Sequence, residues 1–179
     1  MRRGLTTRLP RGLPKYSPRT LITRSPHETE AARPWRGSPG VLRKIIISRS
    51  PRDTEAAGAS LSPFLKAGDC VCLTGPLGAG KTCFVRGAVR GLGGRGPVLS
   101  PTFTLAREAR GRAPIAHLDF YRLDVPAEER GLLDYLDGRH IVFVEWAERD
   151  RSFWPRRVVR VVIVRPAGTR RRISVRMPR

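Results

Sequence analysis

The sequence predicts a three-layer α/β domain with a mixed, largely parallel β-sheet and a C-terminal β-hairpin. Three observations carry that reading. Short apolar runs alternate with helix-like stretches from residue 41 to residue 148, the pattern of strands crossing over through helices. One such run, "DCVCLT", leads into the glycine-rich "GPLGAGKT" (75–82), and a helical stretch, "CFVRGAVRGLG", follows. The last two apolar runs, "RVVRVVIVR" and "RRRISVRM", are joined only by "PAGT", as in a hairpin.

The elements follow in order. Residues 1–40 are rich in Pro, Arg, Ser and Thr without sustained periodicity and are expected to be a disordered basic extension, with the domain body at 41–179. "VLRKIIIS" (41–48) reads as a strand. Ser50 then suits an N-cap, with Pro51 at the first helical position and Asp53 closing a capping box, and the helix runs to about Lys66. After "DCVCLT" and the glycine loop, the next helix closes at Gly91, Gly93 or Gly94. "SPTF" is expected to be a loop, since a residue before proline avoids the helical region. "PIAHLDFYRL" holds a strand ending near Asp119, and "EERGLLDYLDG" a short helix. "HIVFVEWAER" is a continuous apolar run suited to a strand buried on both faces. "LITRSPHETEAA" (21–32) repeats "IISRSPRDTEAA" (46–57) at eight of twelve positions. A single short repeat does not make a solenoid, and only the second copy is expected to join the domain.

Gly75, four residues, then Gly80, Lys81 and Thr82 match the spacing G-x-x-x-x-G-K-[ST] between a strand and a helix. That context makes it a phosphate-binding loop, and the fold class P-loop NTPase-like. Its successive amides and the positive end of the following helix form an anion cradle. Lys81 reaches the β- and γ-phosphates, and Thr82 offers its hydroxyl to Mg²⁺. Glu145, at the end of "IVFVE", suits the acid that helps hold Mg²⁺, which takes few carboxylates and several waters. Asp119 ends another strand, where ligands of open α/β sheets bind, and would orient water. Thr102 in "SPTF" suits a γ-phosphate-sensing hydroxyl. His117 and Trp146 read first as core residues.

Composition bounds the rest. No apolar stretch is long enough to cross a membrane, and no apolar block of a secretory signal follows the basic N-terminus. The three cysteines, Cys70, Cys72 and Cys83, have no zinc-like spacing and point to a reducing cytoplasm. The net charge of +20 is concentrated at the two ends. Residues 1–44 carry eleven Lys or Arg against two acids, and residues 149–179 carry eleven against one. Arginine-rich ends suit contact with tRNA phosphates; an arginine-biased composition accounts for them equally well.

"GPLGAGKT", "SPTFTL", "HLDFYRL", "GLLDYL" and "VFVEWAER", in this order, resemble the TsaE (YjeE) family, over roughly residues 42–176. The resemblance implies a slow Mg²⁺-dependent ATPase serving threonylcarbamoyladenosine formation on tRNA. It also implies action with the TsaD and TsaB proteins, of which TsaD carries the transfer chemistry. Carried over by motif, Gly75, Leu77, Gly78, Ala79, Gly80, Lys81, Thr82 and Cys83 hold the phosphates. Thr82 and Glu145 hold the metal. Asp119, Lys81 and Thr102 take the catalytic roles, and Arg171 approaches the nucleotide. The sequence departs from the family at Pro76, where an acidic or amide residue is usual, and at Cys83, where a second threonine is usual. The rival readings are a small-molecule kinase, which needs a lid that is not evident, and a basic RNA-binding module with a vestigial nucleotide site.

Overall fold

A computed structural model describes residues 36–38, 40–95, 100–150, 155, 157–165 and 168–178. The expected disorder of residues 1–35 and the upstream copy of the repeat lie outside the described residues, as do "GPVL" (96–99) and part of the "PAGT" joint.

The described strands are β1 (Arg36–Ser38), β2 (Val41–Ser48), β3 (Cys70–Thr74), β4 (Ala106–Arg110), β5 (Pro114–Asp119), β6 (Ile141–Glu145), β7 (Val158–Val164) and β8 (Arg171–Pro178). They form one sheet in the order β1-β2-β8-β7-β3-β6-β5-β4. Its centre is parallel: β3 lies between β6 and β7, and β5 joins β6. Both flanks are antiparallel, and the β7–β8 hairpin forms as expected. The parallel character is therefore confined to β3, β5, β6 and β7, the first three of which end at the site. β3 and β6 are buried along almost their whole length, which is why they read as unbroken apolar runs.

One face of the sheet is covered by α1 (Pro51–Leu61) and α2 (Lys81–Gly91). Ile46, Leu61, Leu73, Phe84, Val85, Phe143 and Ile173 close the core between them. The N-cap forms as expected, with Ser50 Oγ accepting from the Asp53 amide at 3.1 Å, but the returning bond of the expected capping box falls one residue upstream: Asp53 Oδ2 accepts from the Arg49 amide at 2.9 Å. The helices approach through glycines. A Cβ on Gly58 would stand 2.0 Å from the Phe84 carbonyl oxygen, and one on Gly87 1.9 Å from that of Glu55. Glycine costs helix stability here but allows a backbone contact no other residue permits.

The structure differs from expectation in four places. The first helix, expected to run to about Lys66, ends at Leu61, and a 3₁₀ turn with Pro63 at its second position follows over Ser62–Phe64. The sheet begins upstream of the 40/41 boundary, because Arg36–Ser38 pairs with β2. β4 is a strand not foreseen in "AREAR", where the residues are half-buried or exposed and show no apolar alternation. The third layer contains no α-helix among the described residues: "LLDYL" (Leu132–Leu136) is a 3₁₀ segment. It packs Leu132 with Phe120, Ala127 and Leu118 over the second face of β3, β5 and β6.

Candidate functional site

Parallel β3, β5 and β6 end together. Asp119 is level with Glu145 in the register, and Glu145 with Leu73, two residues before the loop begins at Gly75. The two acids and the loop therefore converge at the carboxyl edge of the sheet, where such folds bind ligands. A cleft of about 350 Å³ opens there, lined by Leu77 to Cys83, Arg86, Ser100, Thr102, Asp119, Tyr121, Glu145 and Trp146.

The loop conformation follows from its glycines. Gly75 has φ 143°, and a Cβ on it would stand 2.1 Å from the Ile163 carbonyl oxygen, so the chain passes β7 too closely for any side chain. Gly80, at φ 106°, is the N-cap of α2 and hands the chain to Lys81 as the first helical residue. Lys81 folds back over the loop. Its Nζ donates to the carbonyls of Gly75 (2.7 Å) and Pro76 (3.1 Å) and lies 3.6 Å from the centre of the Trp146 ring. Burial pulls its pKa below that of an ordinary lysine, while the carboxylates of Glu145, Glu148 and Asp119 push it back up.

Thr82 Oγ1 donates to Glu145 Oε2 at 3.0 Å. Two oxygens bound at right angles to a Mg²⁺ with bonds of ~2.1 Å stand about 3 Å apart, so this pair fits two neighbouring positions of one such ion. Among the described residues, no group of three or more His, Cys, Asp or Glu could hold a metal by itself. An ion here would take its remaining oxygens from phosphate and water.

His117, two positions before Asp119, the register partner of Glu145, points its Nε2 at Glu145 Oε1 at 2.9 Å. Both side chains are buried, and His117 Nδ1 has no hydrogen-bond partner among the described residues. The carboxylate of Glu145 is thereby held at both oxygens. Asp119 is held at both oxygens too. Its Oδ2 accepts from Thr102 Oγ1 (2.5 Å) and Ser100 Oγ (2.8 Å), and its Oδ1 from the Tyr121 amide (2.9 Å). Each hydroxyl has one proton, and both are directed at Asp119. The loop from Ser100 to Thr102 is thus latched to the end of β5.

The structure brings all the sequence-predicted residues to the cleft except two, Gly75, which lies at the base of the loop beneath Lys81, and Arg171. Arg171 does not line the cleft: its Nε donates to the Ala79 carbonyl at 3.0 Å and its Nη1 to that of Thr169 at 2.8 Å, so it braces the loop from behind. Cys83 lines the cleft but directs its thiol at the Pro51 carbonyl (3.1 Å), and partial burial raises its pKa. Sequence reasoning missed five residues of the site. His117 and Trp146 read as core residues, Ser100 as part of a loop, and Arg86 and Tyr121, which line the cleft, were not singled out. Trp146 has φ 58°, a conformation that costs a non-glycine residue roughly 1–2 kcal/mol and marks a constrained turn. Residue types alone carry no signal of that turn.

The family model described as "Threonylcarbamoyl adenosine biosynthesis protein TsaE" matches residues 48–173. The tRNA threonylcarbamoyladenosine biosynthesis protein TsaE of Bacillus subtilis is 40% identical over 112 residues, which cover 62% of this chain and 71% of that protein. Its counterpart in Treponema pallidum is 37% identical over 120 residues, covering 66% and 89%. The crystal structure of Bacillus subtilis YdiB superposes with a TM-score of 0.65 at 32% identity, covering 78% of this chain and 88% of that one. The matched residues contain the glycine loop, both strand-end acids and the latched loop, and on these grounds the chain belongs to the TsaE family.

Proposed function

We propose that the protein is an ATP-binding, slowly hydrolysing component of the machinery that forms N6-threonylcarbamoyladenosine on tRNA, acting with TsaD and TsaB in the cytoplasm. The observation that carries the ATPase reading is the 3.0 Å approach of Thr82 to Glu145 beside an amide-lined loop. In this reading the amides from Leu77 to Cys83 hold the phosphates, and Lys81 leaves the Gly75 and Pro76 carbonyls to meet the β- and γ-phosphates. Thr82 and Glu145 hold Mg²⁺, and His117 fixes the orientation of Glu145. The ion supplies charge neutralisation of the phosphates.

Asp119 orients water for hydrolysis. Its oxygens already accept three hydrogen bonds, two of them on Oδ2 from Ser100 and Thr102, so the 100–102 loop restrains the water-orienting group. Moving that loop gives a partner a way to set the rate. Two exposed apolar side chains beside these elements support action within a complex: Leu77 is 71% exposed and Phe103 82% exposed. A cytoplasmic setting is supported by Cys70 and Cys72, whose sulfurs are 3.8 Å apart and remain thiols.

Calorimetry with ATP, with and without Mg²⁺, tests the nucleotide reading, and Lys81→Ala is expected to abolish uptake. A pull-down with TsaD and TsaB, with ATP present and absent, tests the partner reading. ATP binding that survives Lys81→Ala, or partner binding indifferent to nucleotide, counts against the respective half. Phosphate transfer to a small-molecule acceptor would favour the kinase reading instead.

A further inference from the structure

We propose that the outer face of β2, β8 and β7 binds the phosphate backbone of RNA. The choice of RNA as polyanion rests on the tRNA-modification reading above. The surface itself rests on register. Arg43 is paired with Arg176, and Arg176 with Arg160, so three arginines stand side by side across three strands. Arg36 of β1 continues the row in the backbone register, opposite Arg43. Two residues further along each strand lies an uncharged row, Ile45–Ser174–Val162, and beyond it Arg172 stands between Ile47 and Val164.

This face points away from α1 and α2. The alternating residues Ile46, Val161 and Val175 enter the helix-side core, while Arg43, Arg160, Arg172 and Arg176 are exposed. The three strands carry six Arg or Lys and no Asp or Glu. No carboxylate among the described residues pairs with Arg43, Arg172 or Arg176. Like charges directly opposite on neighbouring strands repel and destabilise a sheet. With strands ~4.8 Å apart, an extended polyanion lying across them relieves that repulsion. Guanidinium forks match phosphate oxygens in pairs. The face joins residues distant in the sequence: β2 contributes Arg43, β7 and β8 contribute Arg160, Arg172 and Arg176, and the sheet makes them neighbours. A membrane surface fits less well. Its ligands insert aromatic or leucine side chains, and this face offers only short β-branched ones between its arginines. A-form RNA, read through its backbone, needs no insertion.

The test uses the full chain and a fluorescently labelled tRNA transcript, with binding followed by anisotropy over a range of salt. The variant Arg43→Gln/Arg172→Gln/Arg176→Gln is expected to lose at least about tenfold in affinity at low salt. Its log K against log[salt] slope should be shallower by about 2–3. A control, Arg52→Gln/Arg107→Gln/Arg110→Gln, removes the same charge elsewhere and should change binding far less. Melting temperature is followed for both. If the triple variant does not fold, Arg176→Gln alone should make the slope shallower by about 1.

Equal losses in both triple variants would reduce the effect to net charge and overturn the proposal. So would an unchanged slope in the first variant, or absence of tRNA binding by the wild-type chain. A loss confined to binding of phosphatidylserine vesicles, with RNA binding unchanged, would assign the face to membranes instead. Mg²⁺-dependent ATP uptake, measured on the same variants, reports on the nucleotide reading separately.

Discussion

His117 Nε2 stands 2.9 Å from Glu145 Oε1, so the buried acid at the end of β6 is oriented by a residue of the neighbouring strand. His117→Phe removes the donor while keeping ring bulk, and leaves Glu145 with Thr82 as its one remaining side-chain partner among the described residues. A buried acceptor left short of a partner costs about 1–3 kcal/mol. Loss of an orienting partner of a metal ligand typically weakens metal binding 10–100-fold. The Mg²⁺ concentration for half-maximal ATP binding should therefore rise by about tenfold or more in His117→Phe, and His117→Gln should recover part of the loss. Identical magnesium titrations for wild type and His117→Phe would remove His117 from the site.

Lys81 over the Trp146 ring supplies an optical readout. The ammonium lies 3.6 Å from the ring centre, and phosphate binding draws it off. ATP should change the indole emission of the wild-type chain, and the change should vanish in Trp146→Phe although calorimetry still detects binding. A signal that persists in Trp146→Phe would have to come from Trp35 or Trp154 and would separate Lys81 movement from binding.

The contact of α1 with α2 depends on the two glycines. Gly87→Ala places a methyl group where the Glu55 carbonyl already lies, 1.9 Å from the new Cβ. Neither backbone can yield cheaply, so the helices must separate. The expected loss is about 2–4 kcal/mol, above the ordinary cost of overpacking because the clash is with main chain. Since α2 begins at the phosphate loop, ATP affinity should fall along with the melting temperature. Unchanged melting in both Gly87→Ala and Gly58→Ala would contradict the helix packing described.

Lys44 ties stability to pH. It lies on the helix-facing side of β2 between Leu42 and Ile46, and burial lowers its pKa to about 8 from 10.5. Below pH 8 it is charged in both folded and unfolded chains, and its burial opposes folding in full. Between about 8 and 10.5 the folded chain gives up the proton first, so the unfolded chain holds more protons and this contribution improves as pH rises. Lys44→Met lacks this dependence. Its stability relative to wild type should thus decline by about 2–3 kcal/mol from pH 8 to 10.5, measured by urea unfolding. A constant difference across that window would show that Lys44 keeps its ordinary pKa.

The local elements were legible because their signals are local. Gly75, Gly80, Lys81 and Thr82 declare the loop by spacing, Ser50 and Asp53 declare a helix start, and the unbroken apolar run of β6 declares burial on both faces. "LLDYL" misled because apolar spacing does not separate a short α-helix from a 3₁₀ segment. β4 was missed because an edge strand with exposed arginines shows no alternation.

By itself, the sequence determined that a strand, an amide-lined loop and a helix would form around Lys81 and Thr82, since backbone geometry there is dictated by residue type. It also determined which acids end strands. Only the tertiary structure decided that Glu145 meets both Thr82 and His117, that Ser100 and Thr102 latch onto Asp119, and that two basic ends of the chain form one row of arginines. Those meetings join residues 63 positions apart for Thr82 and Glu145, and more than that across the sheet for Arg43 and Arg176. They depend on strand order and register, which the packing of the whole core selects and no short stretch encodes.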